Sequence, residues 1–168
     1  MEAVVTDGIL LPDTGFTQPL RLFITTTKEN AMKTKPCLCQ DDVTKILDAA
    51  EKEARAHQWN VTIAVVDDGG HLMGLRRMDG CATISAYIAP EKARTAALGR
   101  RESKIYEDII NNGRISFLSA PHLQGMLEGG VPVMVEGVCA GAVGVSGVKS
   151  TEDVVIAKAG IAAVNVIC

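Results

Sequence analysis

"VVDDGGHLMGLRRMDG", residues 65–80, decides how the chain folds. Asp67-Asp68-Gly69-Gly70 interrupts two apolar runs, and Asp and Gly tolerate the positive φ that two-residue hairpin loops require. The preceding "NVTIAVVD" is β-branched and too short for a helix. Residues 61–77 are therefore expected to form a β-hairpin. Its far end, Arg76-Arg77-Met78-Asp79-Gly80, is too charged for the middle of a buried strand. Asp79-Gly80 has a plain use in ending the strand. An arginine there can also hold a carboxylate through two parallel hydrogen bonds, which a turn alone does not need.

Working outward, Val43, Ile46, Leu47, Ala50 and Ala54 recur at helical spacing behind Asp41 and Asp42, which suit a helix N-terminus. A first helix over about 41–58 follows, with Glu51, Lys52, Arg55 and His57 on its polar side. Residues 83–99 are helical in composition, but Pro90 lacks an amide proton and is expected to kink or restart that helix. "ESKIYEDIINNG" (102–113) reads as a shorter helix ending at Asn-Gly. "VPVMVEGVCAGAVGVSG" (131–147) reads as a second hairpin turning at Glu136-Gly137. Ser150 and Asp153 have the spacing of a capping box. They would open a last helix over 151–164 that is apolar on almost every side.

Hairpins make antiparallel sheet, and helices that alternate with them must cover it. The expectation is an α+β domain with a sheet of about five strands, occupying residues 39–168. Residues 1–38 lack any sustained period and read as an N-terminal extension outside the core, with one extended segment at Leu20–Thr25. Met32-Lys33-Thr34-Lys35 has the look of an ordinary protein start.

The chain is 47% apolar but only 4% aromatic, so its core is built from Val, Ile, Leu and Ala. Its net charge of −3 and lack of a dense basic stretch argue against nucleic acid as a partner. No run reaches the roughly 18 apolar residues that a membrane span needs, and no secretory signal pattern opens the chain. A cytoplasmic location with reduced cysteines is expected. Cys37-Leu38-Cys39 has no second half, which disfavours a structural zinc site.

The phosphate-loop, dinucleotide, nucleophile-elbow and zinc-protease signatures are missing. Gly141-Ala142-Val143-Gly144-Val145-Ser146-Gly147 lies in a strand, where small residues admit a close neighbour, either another element or a ligand. His57, His71 and His122 are far apart and suggest no shared metal site. Glu91, Arg94 and Thr95 share one face of the second helix, with Lys92 beside them. If that face packs near the Arg77–Gly80 loop, the two make a mixed-charge rim around one ligand pocket.

Five segments in order, "VVDDGGHLMGLRRMDG", "PEKARTAA", "GGVPVMVEG", "GAVGVSG" and "TEDVVIAKAGIAAV", resemble the GlcG/HbpS family, which includes the C-terminal domain of PduO-type proteins. The resemblance covers about residues 40–164. It implies a profilin-like α+β fold, assembled as a homo-oligomer, in a family where some members bind haem and some belong to glycolate, diol or corrinoid metabolism. Arg77, Met78, Asp79 and Gly80 fall on the family's hairpin-end motif, and Lys92, Ala93, Thr95 and Ala96 on its helix motif. Two features depart from the pattern: Pro90, and the extension before Met32.

The leading expectation is an oligomeric small-molecule binding protein whose ligand and cofactor is haem or a related tetrapyrrole. Arg77, Met78, Asp79, Glu91, Lys92, Arg94 and Thr95 form its ligand-binding set, with Lys92 or Arg77 on the propionates. None of the motifs supplies an obvious iron ligand, so His71, His122, Cys37 and Cys39 are candidates on chemistry alone. One alternative is an enzyme acting on a small carboxylic acid, aldehyde or diol, with Asp79 or Glu91 as acid–base. The other is a ligand-free assembly partner in a metabolic complex.

Overall fold

The structure, a computed structural model, describes residues 32–164. The expected segment at Leu20–Thr25 and the rest of 1–31 lie outside the described residues. Along the chain come α1 (Gln40–Ala56), β1 (Thr62–Asp67), β2 (Leu72–Arg77), α2 (Ser85–Gly99) and α3 (Lys104–Asn111). A 3-10 turn (Ile115–Ser119), β3 (Gly130–Val135), β4 (Val138–Ser146) and α4 (Ser150–Ile161) complete it. The fold is α+β, with the order of elements that the two hairpins imply. The sheet is antiparallel and has four strands among the described residues, in the order β2-β1-β4-β3, rather than about five.

Strand alternation divides the core in two. Ile63, Val65, Val143 and Val145 point to one face, where α1 and α4 bring Val43, Ile46, Ala50, Ile156 and Ala157. Val66 and Ala142 point to the other, against Ala93, Ala96 and Ala97 of α2. Gly144 explains how α2 comes so close: a Cβ there would collide with the carbonyl oxygen of Ala89 and lie 2.5 Å from the amide nitrogen of Ala93. The small residues of β4 thus serve a neighbouring helix. Much of α4's apolar surface is likewise spent on α1 and the sheet within the same chain.

Local chemistry departs from expectation at three places. The first hairpin turns through Asp68, Gly69 and Gly70, because the N–H of Asp67 donates to the carbonyl of His71 at 2.9 Å. This is a three-residue loop, with Gly70 at φ +78° and the Asp67 carboxylate accepting the N–H groups of Gly69 and His71. Second, α2 runs through Pro90 without a break. Proline removes one N–H near the start of the helix, and the alanine stripe packed on the sheet outweighs that loss. Third, the capping box at Ser150 and Asp153 does not form. The Glu152 carboxylate accepts the N–H of Lys149, Ser150 donates to Glu128, and Asp153 turns inward. The second hairpin does turn at Glu136-Gly137, both at positive φ.

Candidate functional site

The site follows from a mismatch of widths. Paired residues on antiparallel strands share a face, so Arg77, Leu75 and Leu72 stand on the α2 side of the sheet, opposite Thr62, Ala64 and Val66. Helix α2 centres on β4 and β1 and does not reach over this edge strand. Leu72 and Leu75 are therefore left 53% and 40% exposed. The flank of α2 forms a wall beside them. Arg94 marks that flank, since its Nε donates to the carbonyl of Gly70 at 3.2 Å. Tyr87, seven residues earlier on the same stripe, is 75% exposed. The result is an open apolar shelf floored by Leu72 and Leu75, walled by α2, with Arg77 at one end and Arg94 at the other. The strand between Leu72 and Arg77 makes the shelf roughly 17 Å long at about 3.3 Å per residue.

The two arginines are not equally free. Arg94 forms an ion pair with Glu91 and also holds the hairpin loop, so two of its five N–H donors are committed. Arg77 is exposed and donates from Nη2 to the carbonyl of Cys81 at 3.1 Å, leaving the rest of its fork unspent. Its neighbour Arg76 points to the opposite face, where it bridges Asp48 and Glu51 of α1 at 2.8 and 2.7 Å.

The remaining residues of the expected rim separate. Arg77 and the Glu91–Thr95 segment border opposite ends of the shelf and do not close one pocket. Met78 is buried in the α1-side core, and its N–H extends the pairing to Val61. Asp79 and Gly80 form the exposed middle of a turn closed from Cys81 N–H to the Met78 carbonyl, with Gly80 at φ +79°. The Asp-Gly pair thus has a turn to make, whatever else it does. Among the described residues, Thr95 is fully buried with no partner for its hydroxyl, and Glu91 keeps one buried carboxylate oxygen unpartnered.

Lys92 is the largest departure. It is buried, and its Nζ lies 2.8 Å from Asp153 Oδ2 and 3.0 Å from the Val145 carbonyl oxygen. The pair ties α2 on one face of the sheet to α4 on the other. Burial pushes the Asp153 carboxyl above the usual carboxylate range, against the downward pull of the Lys92 ammonium. Lys92 therefore cannot grip a ligand at the surface.

Of the metal-ligand candidates, His71 follows the first hairpin loop and is exposed. Its Nδ1 lies 3.1 Å from the Asp67 carboxylate, which leaves Nε2 outward. A histidine oriented through Nδ1 in this way is the usual form of an imidazole metal ligand. His122 is exposed in the 120–129 loop at φ +61°, and Cys37 and Cys39 precede α1. No group of three or more His, Cys, Asp or Glu suited to a metal ion occurs among the described residues. Separately, α3, the 3-10 turn and the following loop border an open pocket of about 270 Å³ lined by Glu107, Ile110, Asn111, Leu118, Gln124, Met126 and Leu127.

Fold and site together define a four-stranded antiparallel α+β domain with an open, arginine-flanked shelf on its edge strand. The chain belongs to the HbpS-like family: the family model described as haem degrading protein HbpS-like matches residues 38–162. Protein GlcG of Escherichia coli (strain K12) is 60% identical over 115 residues, which cover 68% of this chain and 85% of GlcG. Among solved structures, a PduOC:haem complex superposes with a TM-score of 0.70 at 30% identity, covering 77% of this chain and 96% of that one. A double mutant of HbpS from Streptomyces reticuli gives 0.72 at 26% identity, covering 80% and 91%.

Proposed function

We propose that this protein binds haem or a related tetrapyrrole on the shelf between β2 and α2. The observation that carries the reading is an exposed apolar strip ending at a guanidinium with one bond to the Cys81 carbonyl among the described residues, in a family where one solved relative is a haem complex. A flat macrocycle needs an apolar surface for its face and cations for its propionates. Leu72, Leu75 and the Tyr87 ring supply the first, and Arg77 supplies the second, with Arg94 in a lesser part. His71 is a candidate iron ligand on its own chemistry, an exposed imidazole oriented through Nδ1 by the Asp67 carboxylate. Haem, when bound, supplies an iron centre for oxygen and electron chemistry. The 270 Å³ pocket is smaller than the roughly 300–1,000 Å³ of ordinary ligand pockets and suits a tetrapyrrole poorly.

The rest of the reading has separate supports. Ile105, Ile115, Leu118 and Leu127 are exposed apolar side chains around α3, the kind of surface a second copy covers in a homo-oligomer. Four free cysteines among the described residues suit a cytoplasmic, reducing compartment. Among those residues no helix is long and apolar enough to cross a membrane. The family match from residue 38 favours a domain over 39–168 with residues 1–38 as an extension.

The test is an optical titration with hemin. Arg77→Ala should weaken binding about tenfold or more while leaving the fold intact, because a hydrogen bond to a charged group contributes about 1.5–3 kcal/mol. Arg77→Lys should recover only part, since the planar fork is lost. If Arg77→Ala unfolds the domain and the folded fraction binds hemin as before, Arg77 is a structural clamp. A wild-type chain that takes up no hemin leaves the enzyme and assembly-partner readings standing.

A further inference from the structure

We propose that Cys37 and Cys39 form a two-thiolate site for a soft monovalent cation of the copper(I) class, independent of the shelf. The backbone is extended at Cys39, which has φ −102° and ψ 172°. Burial alternates along it: Pro36 and Leu38 are partly buried, while Cys37 and Cys39 are exposed. Leu38 packs on the core beside Gly141, which fixes the segment and leaves both thiols on the solvent side. Alternate residues of an extended chain share a face, with Cα atoms about 6.6 Å apart. That spacing is near the upper limit of about 6.8 Å for a disulfide. It is well matched to two sulfurs bridged by one metal, since bonds of about 2.3 Å each hold them about 4.6 Å apart in line.

Ligand number then selects the metal. Zinc closes a structural site with four ligands, and the described residues offer no group of even three His, Cys, Asp or Glu around these thiols. Asp42 is the nearest acid, but its Oδ2 already caps α1 by accepting the Cys39 N–H at 3.0 Å, and it also accepts the Cys39 thiol at 3.1 Å. Two thiolates outside any larger group of such donors among the described residues suit a soft cation of low coordination number. Binding replaces the two S–H bonds by two S–Cu bonds and releases two protons, with no change of oxidation state.

The experiment uses the full chain, reduced and desalted under anaerobic conditions, in competition with the coloured copper(I)–bicinchoninate complex. One equivalent of copper(I) per chain should leave the chelator. Cys37→Ser and Cys39→Ser should each weaken uptake by more than about 100-fold, because even outer-shell partners cost about 10–100-fold. Zinc should not displace the bound copper. Failure to withdraw copper(I), or undiminished uptake by the Cys37→Ser/Cys39→Ser double variant, overturns the proposal.

Discussion

Replacing Lys92 by Met keeps a long unbranched side chain on α2 and removes only the ammonium. In the wild type that ammonium sits 2.8 Å from Asp153 Oδ2, with the two side chains 5% and 2% exposed. The variant leaves Asp153 with the N–H of Val148 at 3.4 Å as its other described partner. Breaking one side of a buried pair costs about 3–5 kcal/mol, a large share of the roughly 5–15 kcal/mol that holds a domain together. The loss should depend on pH. Burial already raises the Asp153 carboxyl above its unfolded value, and Lys92 is what pulls it back. Without Lys92 the folded form holds the proton more tightly still, so the native state binds more protons than the unfolded one between the two pKa values. Stability of the variant should therefore rise as pH falls through that window and be lowest above it. Urea unfolding followed by circular dichroism, from about pH 8 down to about pH 5, measures this directly. Lys92→Met/Asp153→Leu should recover most of the loss, because removing both partners of a buried pair is often neutral. A Lys92→Met deficit below about 1 kcal/mol at the upper pH, or one that does not shrink on acidification, would refute the reasoning.

Three further outcomes follow from the packing. Gly144→Ala should destabilise the domain by about 1–3 kcal/mol or more, seen as a lower denaturant midpoint, because the new Cβ meets the α2 backbone at Ala89 and Ala93. Glu91→Gln should change stability by less than about 1 kcal/mol, since its partly exposed pair with Arg94 is of the weak surface kind. Light scattering coupled to sizing should give a multiple of 17.8 kDa, and Leu118→Glu should lower it if the α3 surface is the interface.

Much of the scaffold was legible because local signals were strong. The Asp-Gly-Gly and Glu-Gly turns, the Val43–Ala54 stripe and the β-branched runs each have a single sensible reading. Helix α2 was harder. Its residues are small on nearly every side, so periodicity does not reveal which face meets the sheet. The stripe Ala89, Ala93, Ala96 and Ala97 marks that face, and Lys92 lies on its flank. A charge there reads as solvated until Asp153, 61 residues away, is seen opposite it. The shelf was half legible. The charged end of β2 drew attention to Arg77, but pairing register and the limited reach of α2 are what leave Leu72 and Leu75 bare. Those are tertiary facts, and no local pattern encodes them.

The most direct measurement of the central claim is a hemin titration of Leu75→Glu beside wild type and Met126→Trp. Leu75 is 40% exposed on the shelf floor, so a carboxylate there should spare the fold while repelling both the macrocycle and its propionates. Met126 lines the separate pocket, which tryptophan would occupy. The shelf predicts that Leu75→Glu loses most hemin affinity and Met126→Trp keeps it. Undiminished binding by a folded Leu75→Glu protein, with loss in Met126→Trp, would contradict the account and move the ligand to the pocket.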